Sequence, residues 1–151
     1  MSVTVSNKTM SQEQFTNVLS HVVIDQKFFH GFSVNGKKTP GLWKDPRDLY
    51  RDVTKALAEL DFDKLYECRF GKSGKNLTTP FFVEGAAAPQ DFIKGCCGDI
   101  IRYIYDQKVW YTDKRGTKYF VSVNLMHTVL FDQLWYYADH MGVNLEIECD
   151  F

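Results

Sequence analysis

The alternation of hydrophobic and polar positions divides the chain into amphipathic helices and short β segments. The first helix is predicted at Ser11, which forms a capping box with Gln14 ahead of a hydrophobic face at helical spacing. The second begins after Asp45, has Pro46 at its first position and runs to Leu60. The inward positions are predicted to be Phe15, Val18, Leu19 and Val22 in the first helix and Leu49, Val53, Leu57 and Leu60 in the second.

Three β-hairpins are predicted between the helices. Segment 27–34 ends at Asn35 and Gly36, the pair favoured in a type I′ turn because both residues adopt positive φ. Its return strand is expected to be short, since Pro40 and Gly41 interrupt it. The other hairpins are predicted to pair 65–70 with 77–84, and 108–112 with 117–123.

Two further helices and a last strand complete the pattern. One helix opens at Pro89, the next begins after Asn124 and ends at Gly142, and segment 143–151 alternates as a strand. The sequence therefore predicts an α+β fold, in which an antiparallel sheet of three β-hairpins plus a C-terminal strand packs against about four helices. The inward positions of the helix that follows Asn124 are predicted to be Met126, Val129, Leu130, Leu134, Tyr137 and Met141.

The length and composition favour one globular domain, spanning residues 1–151. A length of 151 residues suits a single core, and an aromatic content of 15% excludes intrinsic disorder. No apolar run approaches the length of a membrane span, and the first residues lack the apolar block of a signal peptide. We therefore expect no membrane association and a cytoplasmic location, the host-cell cytosol for a phage-encoded protein.

The charges are distributed unevenly along the chain. Residues 1–119 carry 18 basic and 14 acidic groups, a net of +4, whereas residues 120–151 carry five acidic groups and no basic one. The last strand supplies Glu146, Glu148 and Asp150 to this acidic quarter. Such a face either keeps the protein soluble or contacts a basic partner, such as a nucleic-acid-binding protein.

Consecutive aromatic residues near the C-terminus provide further candidate contacts for a partner. Trp135, Tyr136 and Tyr137 spread over about 200° of a helix, because successive residues are about 100° apart. If Tyr137 faces the core, Trp135 and Tyr136 are expected to be partly exposed and available as interface anchors. Trp43, predicted in a loop, is another candidate. The alternative is that these rings pack at the edges of the domain itself.

Two basic turns keep nucleic-acid binding open as an alternative function. Turns 71–75 and 114–118 would contact phosphates if they project from the same end of the sheet. The aromatic residues expected to stack on bases are Tyr66, Phe70, Trp110, Tyr111 and Tyr119. A net charge of −1 argues against a dedicated nucleic-acid binder. The candidate contact residues are Lys72, Lys75, Lys114, Arg115 and Lys118.

Catalytic and metal-binding patterns are weak in this sequence. The four cysteines include no C-x-x-C pair, and His127 and His140 lie too far apart along one helix to share a metal ion. No catalytic residue, metal ligand or cofactor is assigned. A small enzyme with a Cys/His or His/carboxylate site stays open, because such residues meet in space rather than in sequence. His30, beside a glycine, is positioned to flank a pocket.

Together these features favour a non-catalytic protein-binding module. Small size, surplus aromatic residues and an acidic last strand are typical of an inhibitor directed against a host or defence protein, as phages and mobile elements encode. The last strand is also predicted to lie at a sheet edge, where it would pair with a partner or with a second copy of the chain in a homodimer.

Overall fold

The computed structural model describes residues 2–68, 82–84, 109–121 and 126–151, which form an α+β structure. Strands and helices are interleaved along the chain, and the buried side chains form one hydrophobic cluster. In chain order, the described elements are β1 (Ser2–Ser6), α1 (Gln12–Ile24), β2 (Phe29–Val34), β3 (Lys37–Trp43), α2 (Pro46–Tyr66), β4 (Phe82–Glu84), β5 (Tyr111–Thr112), β6 (Lys118–Val121), α3 (His127–Met141) and β7 (Leu145–Asp150).

The main sheet has four antiparallel strands in the order β1-β7-β2-β3. The predicted alternation of the last strand is confirmed, since Leu145, Ile147 and Cys149 are all buried in the core. Its predicted position at a sheet edge is wrong, because β7 pairs with β1 on one side and β2 on the other. Among the described strands, β1 and β3 form the edges, so a dimer through an edge of this sheet would use one of them.

Strand β1 was not predicted from the sequence. Its five residues pair with β7 from Ser2 opposite Asp150 to Ser6 opposite Glu146. Asn7 fixes the end of this pairing, because its side chain donates to the carbonyl of Val143. The main sheet therefore contains one hairpin, β2–β3, together with the two terminal strands, and the prediction of three hairpins in one sheet is wrong.

The second sheet is small and antiparallel, with the strand order β4-β6-β5 in the described residues. The predicted hairpin across turn 113–116 is confirmed as β5–β6. The hairpin of 65–70 with 77–84 is wrong, since α2 continues to Tyr66 and β4 pairs with β6 instead. The helix predicted from Pro89 lies outside the described residues, which contain three helices.

Helix α1 begins as predicted. The Ser11 side chain accepts from the backbone N–H of Gln14, and the Gln14 side chain accepts from the backbone N–H of Ser11. The two bonds satisfy N–H groups that a free helix end leaves without partners. The predicted inward positions Phe15, Leu19 and Val22 are buried, and Val18 is half-buried against the core.

Helix α2 also begins as predicted, with Asp45 as its N-cap and Pro46 in its first turn. Asp61 has non-helical φ/ψ angles and interrupts the helix, and its carboxylate accepts from the backbone N–H of Lys64. Leu60, expected to face inward, is 52% exposed because the regular helix ends at this break. The other predicted inward positions, Leu49, Val53 and Leu57, are buried.

Helix α3 begins at His127, with Met126 as its N-cap residue. Asn124, the predicted cap, lies outside the described residues. Met126 is 70% exposed, which contradicts its predicted inward position and follows from its place before the first helical turn. Gly142 ends the helix as predicted, with a φ of 69° in the left-handed region that glycine tolerates. The remaining inward positions Leu130, Leu134, Tyr137 and Met141 are buried, and Val129 is half-buried.

Candidate protein-binding surface

The main sheet has one apolar face, which packs into the core, and one polar face. Side chains alternate along a strand, so the burial of Ile147 places its neighbours Glu146 and Glu148 on the opposite face. Glu148 is exposed to solvent, while Glu146 and Asp150 are half-buried. We call this surface, defined by Glu146, Glu148 and Asp150 on β7, the acidic sheet face.

The strands beside β7 place small side chains next to these carboxylates. Each carboxylate lies opposite a serine or threonine of β1, and on the other side β2 supplies only a serine and a glycine at the positions paired with Glu146 and Glu148. Beside these small side chains Glu148 stays exposed, while Glu146 and Asp150 are half-buried. The paired positions are Ser2 with Asp150, Thr4 with Glu148 and Ser6 with Glu146 on β1, and Ser33 with Glu146 and Gly31 with Glu148 on β2.

A β-bulge in β2 brings a histidine onto the same face. The pairing with β7 shifts between Phe29 and Gly31, so that β2 contains one residue more than β7 at this point. Phe29 and Phe32 are three residues apart, a spacing that places side chains of a regular strand on opposite faces. The extra residue, His30, lets both rings point into the core. His30 is consequently free to reach Asp150 on the polar face.

His30 and Asp150 are hydrogen-bonded at one end of the acidic sheet face. Their Nε2 and Oδ1 atoms are 2.5 Å apart, and the backbone N–H of Phe28 donates to the other carboxylate oxygen. The bond from His30 holds the pKa of Asp150 below its ordinary value. In the described part of the chain, Glu146 accepts a hydrogen bond from the Asn144 amide but has no cationic partner, and Glu148 has none either.

A cleft of about 150 Å³ opens between His30 and Glu148. Gly31 forms part of its floor, where an added Cβ would lie 3.3 Å from the carbonyl oxygen of Thr39 and 3.6 Å from a carboxylate oxygen of Glu148. The absence of a side chain at Gly31 therefore gives the carboxylate room. The polar lining residues of this cleft are His30, Ser33, Lys38, Thr39, Glu146 and Glu148.

Trp135 and Tyr136 are both half-buried, and each is tied to another part of the chain. The indole N–H of Trp135 donates to the carbonyl oxygen of Met10 at 3.0 Å. The hydroxyl of Tyr136 lies near the thiol of Cys68, and its ring lies 6.0 Å from that of His140. The two rings thus help to join α3 to its neighbours, and their role in binding a partner stays a prediction.

Trp43 lies in β3, so its predicted position in a loop is wrong, as is the expectation that Pro40 and Gly41 shorten this strand. An edge strand tolerates proline because the missing N–H faces away from the sheet. The half-buried Trp43 ring packs 5.6 Å from that of Phe32, and its N–H donates to Asp52 at 2.7 Å.

The basic residues predicted to contact nucleic acid are only partly described. Lys72 and Lys75 lie outside the described residues, so the convergence of the two turns stays untested. Lys114, Arg115 and Lys118 are exposed on the β5–β6 hairpin. Of the aromatic residues expected to stack on bases, Trp110 and Tyr119 are buried in the core and Tyr111 stacks on Phe62.

The described cysteines are poor nucleophiles. Burial raises the pKa of Cys68 to about 12 and that of Cys149 to about 11, so both thiols are protonated at neutral pH. Two histidines do meet carboxylates, His30 with Asp150 and His140 with Glu67. Each carboxylate is the chain neighbour of a described cysteine, and its negative charge raises the pKa of that thiol further instead of activating it. No group of three or more His, Cys, Asp or Glu residues within the described ranges is placed to hold a metal ion.

The comparisons with known proteins found no match, so the function of this chain is inferred from its own residues. No family model matches the sequence, and no curated protein or solved structure matches the chain. In the described part of the chain, none of the helices combines the length and the apolar character that crossing a membrane requires.

Proposed function

We propose that this chain is a non-catalytic protein-binding module that binds an extended basic segment of a partner protein on the acidic sheet face. One observation carries the proposal: Glu146 and Glu148 lie on a central strand between small side chains, with no cationic partner among the described residues. Carboxylates in this position attract a cationic surface and select against anionic ones.

The spacing of the carboxylates favours an extended ligand. Alternate residues of an antiparallel strand are about 6.8 Å apart, twice the rise of about 3.4 Å per residue. Side chains on one face of an extended peptide have the same repeat, so a segment with a lysine or arginine at every second position matches Glu146 and Glu148 in register. A helical segment would present its basic residues at a different spacing.

Such binding makes the module an inhibitor of the protein that it contacts. Basic segments in nucleic-acid-binding proteins contact phosphates, and a carboxylate surface bound to the same lysines and arginines competes with the nucleic acid. The partner class favoured by this argument is a nucleic-acid-binding protein.

A peptide-binding experiment tests the proposal. The probe is a fluorescent peptide of alternating lysine and threonine, and binding is followed by anisotropy at several salt concentrations. The double variant E146Q/E148Q is expected to bind about tenfold more weakly, in line with the loss of two charge-assisted contacts of about 0.7 kcal/mol each.

The control variant E13Q/D139N removes the same two charges from exposed positions in α1 and α3, away from the sheet. It is expected to bind the peptide as the unmodified protein does. Equal weakening in both double variants would show that only net charge matters and would overturn the proposal. Tighter binding of a single-stranded oligonucleotide than of the peptide would favour the nucleic-acid alternative instead.

A further inference from the structure

A second cavity lies between the C-terminal part of α2 and the β5–β6 turn, away from the acidic sheet face. Its volume is about 450 Å³. Tyr111 on β5 stacks on Phe62 of α2, with ring centroids 4.6 Å apart and ring planes only 6° from parallel. Tyr111 is half-buried, so part of its ring borders the cavity. We call this cavity the α2–turn groove.

The groove has more carboxylates than cations along its border. Helix α2 contributes Glu59, Asp61 and Asp63, and the turn contributes Asp113, whereas Lys114 and Arg115 are the basic residues among the described ones that border the groove.

Local structure already occupies two of these carboxylates. Asp61 accepts from the backbone N–H of Lys64 where α2 is interrupted, and Asp113 accepts from the backbone N–H groups of Arg115 and Thr117.

Glu59 and Asp63 remain available at the border of the groove. Both are exposed, and neither carboxylate forms a hydrogen bond or ion pair within the described residues. They lie close enough to Tyr111 that, together with burial and Asp113, they raise the pKa of its hydroxyl. The aromatic surface and the free carboxylates therefore border the same space.

We propose that the α2–turn groove binds the guanidinium group of an arginine side chain from a partner protein. A guanidinium is planar and weakly hydrated, so it stacks on a flat ring such as Tyr111 while its N–H groups donate to carboxylates around the edge. Glu59 and Asp63 are the acceptors in this arrangement. The ammonium of lysine lacks both the plane and the fork of donors, so arginine is preferred.

The site is separate from the acidic sheet face and depends on different residues. A site for a guanidinium also needs negative charge, whereas a site that binds nucleic acid needs positive charge. A phosphate in the groove would use Lys114 and Arg115 and would be repelled by Glu59 and Asp63, whereas a guanidinium would use the carboxylates and be repelled by the cations.

A titration of the full chain followed by ¹H–¹⁵N NMR tests the proposal. The probe is the blocked tripeptide acetyl-Gly-Arg-Gly-amide, and its lysine counterpart is the comparison. We expect the arginine peptide to shift the amide signals of Tyr111, Phe62 and Asp63, and to bind several-fold more tightly than the lysine peptide. Equal affinities for the two peptides, or shifts confined to other regions, would overturn the assignment.

Variants that remove charges from the groove show whether it binds a cation or an anion. The variant E59Q/D63N is expected to weaken arginine binding about three- to tenfold, and R115Q is expected to leave it unchanged or strengthen it. Because all three residues are exposed, thermal unfolding should show that these variants remain folded. The reverse pattern, with loss in R115Q and gain in E59Q/D63N, would overturn the proposal in favour of a phosphate-bearing ligand. E146Q/E148Q should bind the arginine peptide normally, which separates this test from that of the acidic sheet face.

Discussion

The hydroxyl groups of Tyr50 on α2 and Tyr137 on α3 are hydrogen-bonded at 2.8 Å. Both side chains are fully buried, and their ring centroids are 6.3 Å apart. Burial raises the pKa of each phenol well above its ordinary value, so both remain protonated. This hydrogen bond joins the two helices. Because neither hydroxyl can contact water, each needs a hydrogen-bond partner within the protein.

Removing one hydroxyl should expose this dependence. We expect Tyr137→Phe to lower the free energy of unfolding by about 1–3 kcal/mol, because the buried hydroxyl of Tyr50 then loses its hydrogen-bond partner. Adding Tyr50→Phe should recover part of that loss, since no buried hydroxyl then lacks the bond. Urea unfolding of the two single variants and the double variant measures the coupling. Additive losses would show that the two hydroxyls do not stabilise each other.

The buried thiols should make stability fall at alkaline pH. The pKa of Cys68 rises from 9.0 in its unperturbed state to about 12 in the folded protein because the thiol is buried. As the pH rises, the unfolded chain therefore releases this proton before the folded protein does, so the free energy of unfolding falls between pH 9 and 12. The stabilising contribution is complete below about pH 8, where the thiol is protonated in both states.

Urea unfolding at pH 7, 8, 9 and 9.5 under reducing conditions checks this expectation. Stability should be flat up to about pH 8 and then decline, and Cys68→Ala should show a shallower decline. This range lies below the ordinary pKa of 10.0 for tyrosine, so Tyr50 contributes little to the slope. An identical slope in Cys68→Ala would show that other groups cause the change.

Gly41 and Trp43 should form a steric pair on the edge strand. A Cβ atom at Gly41 would lie 2.4 Å from the nearest ring atom of Trp43, so Gly41→Ala must displace the indole. Displacement breaks the bond to Asp52 and exposes the ring. We expect a loss of about 1–2 kcal/mol in stability and a red shift of tryptophan emission relative to the unmodified protein.

The double variant Gly41→Ala/Trp43→Phe separates this clash from a general effect of alanine on β3. Alanine in place of glycine should cost much less when the larger indole is absent. A cost that is the same in both backgrounds would contradict the steric explanation.

Local signals predicted the elements whose ends are marked by particular side chains. Ser11 with Gln14, Asp45 with Pro46, and Gly142 all mark helix ends as expected, because their hydrogen bonds or φ angles are formed within one turn. The alternation of β7 likewise predicted which side chains face the core. These features depend on neighbouring residues, which the sequence displays directly.

The pairing of strands that lie far apart in the sequence could not be predicted from local sequence patterns. Strand β1 is short and polar at alternate positions, and it becomes recognisable only when paired with β7 at the other end of the chain. The same pairing places β7 inside the sheet rather than at an edge. His30 reaches Asp150 because of a bulge that no local pattern marks, and Glu59 and Tyr111 border the same cavity only through tertiary packing. The acidic residues were identified from composition, whereas their neighbours were not.

Trp135 should contribute to the stability of the isolated chain as well as to any interface. Its ring packs against the hydrophobic core, and its N–H donates to the carbonyl oxygen of Met10, just before the N-cap of α1. We expect Trp135→Ala to cost about 2 kcal/mol in urea unfolding, less than the roughly 3–5 kcal/mol of a fully buried aromatic side chain. Trp135→Phe keeps most of the packing and should cost about 1 kcal/mol for the lost hydrogen bond.

The two variants together separate folding from recognition. If Trp135 also anchors a partner, Trp135→Phe should retain most of the binding that Trp135→Ala loses, measured at a temperature where both variants are folded. If the ring serves the fold alone, both variants should bind the basic peptide like the unmodified protein once folded, and binding would depend on Glu146 and Glu148 instead. A Trp135→Ala variant as stable as the unmodified chain would contradict the contact with Met10.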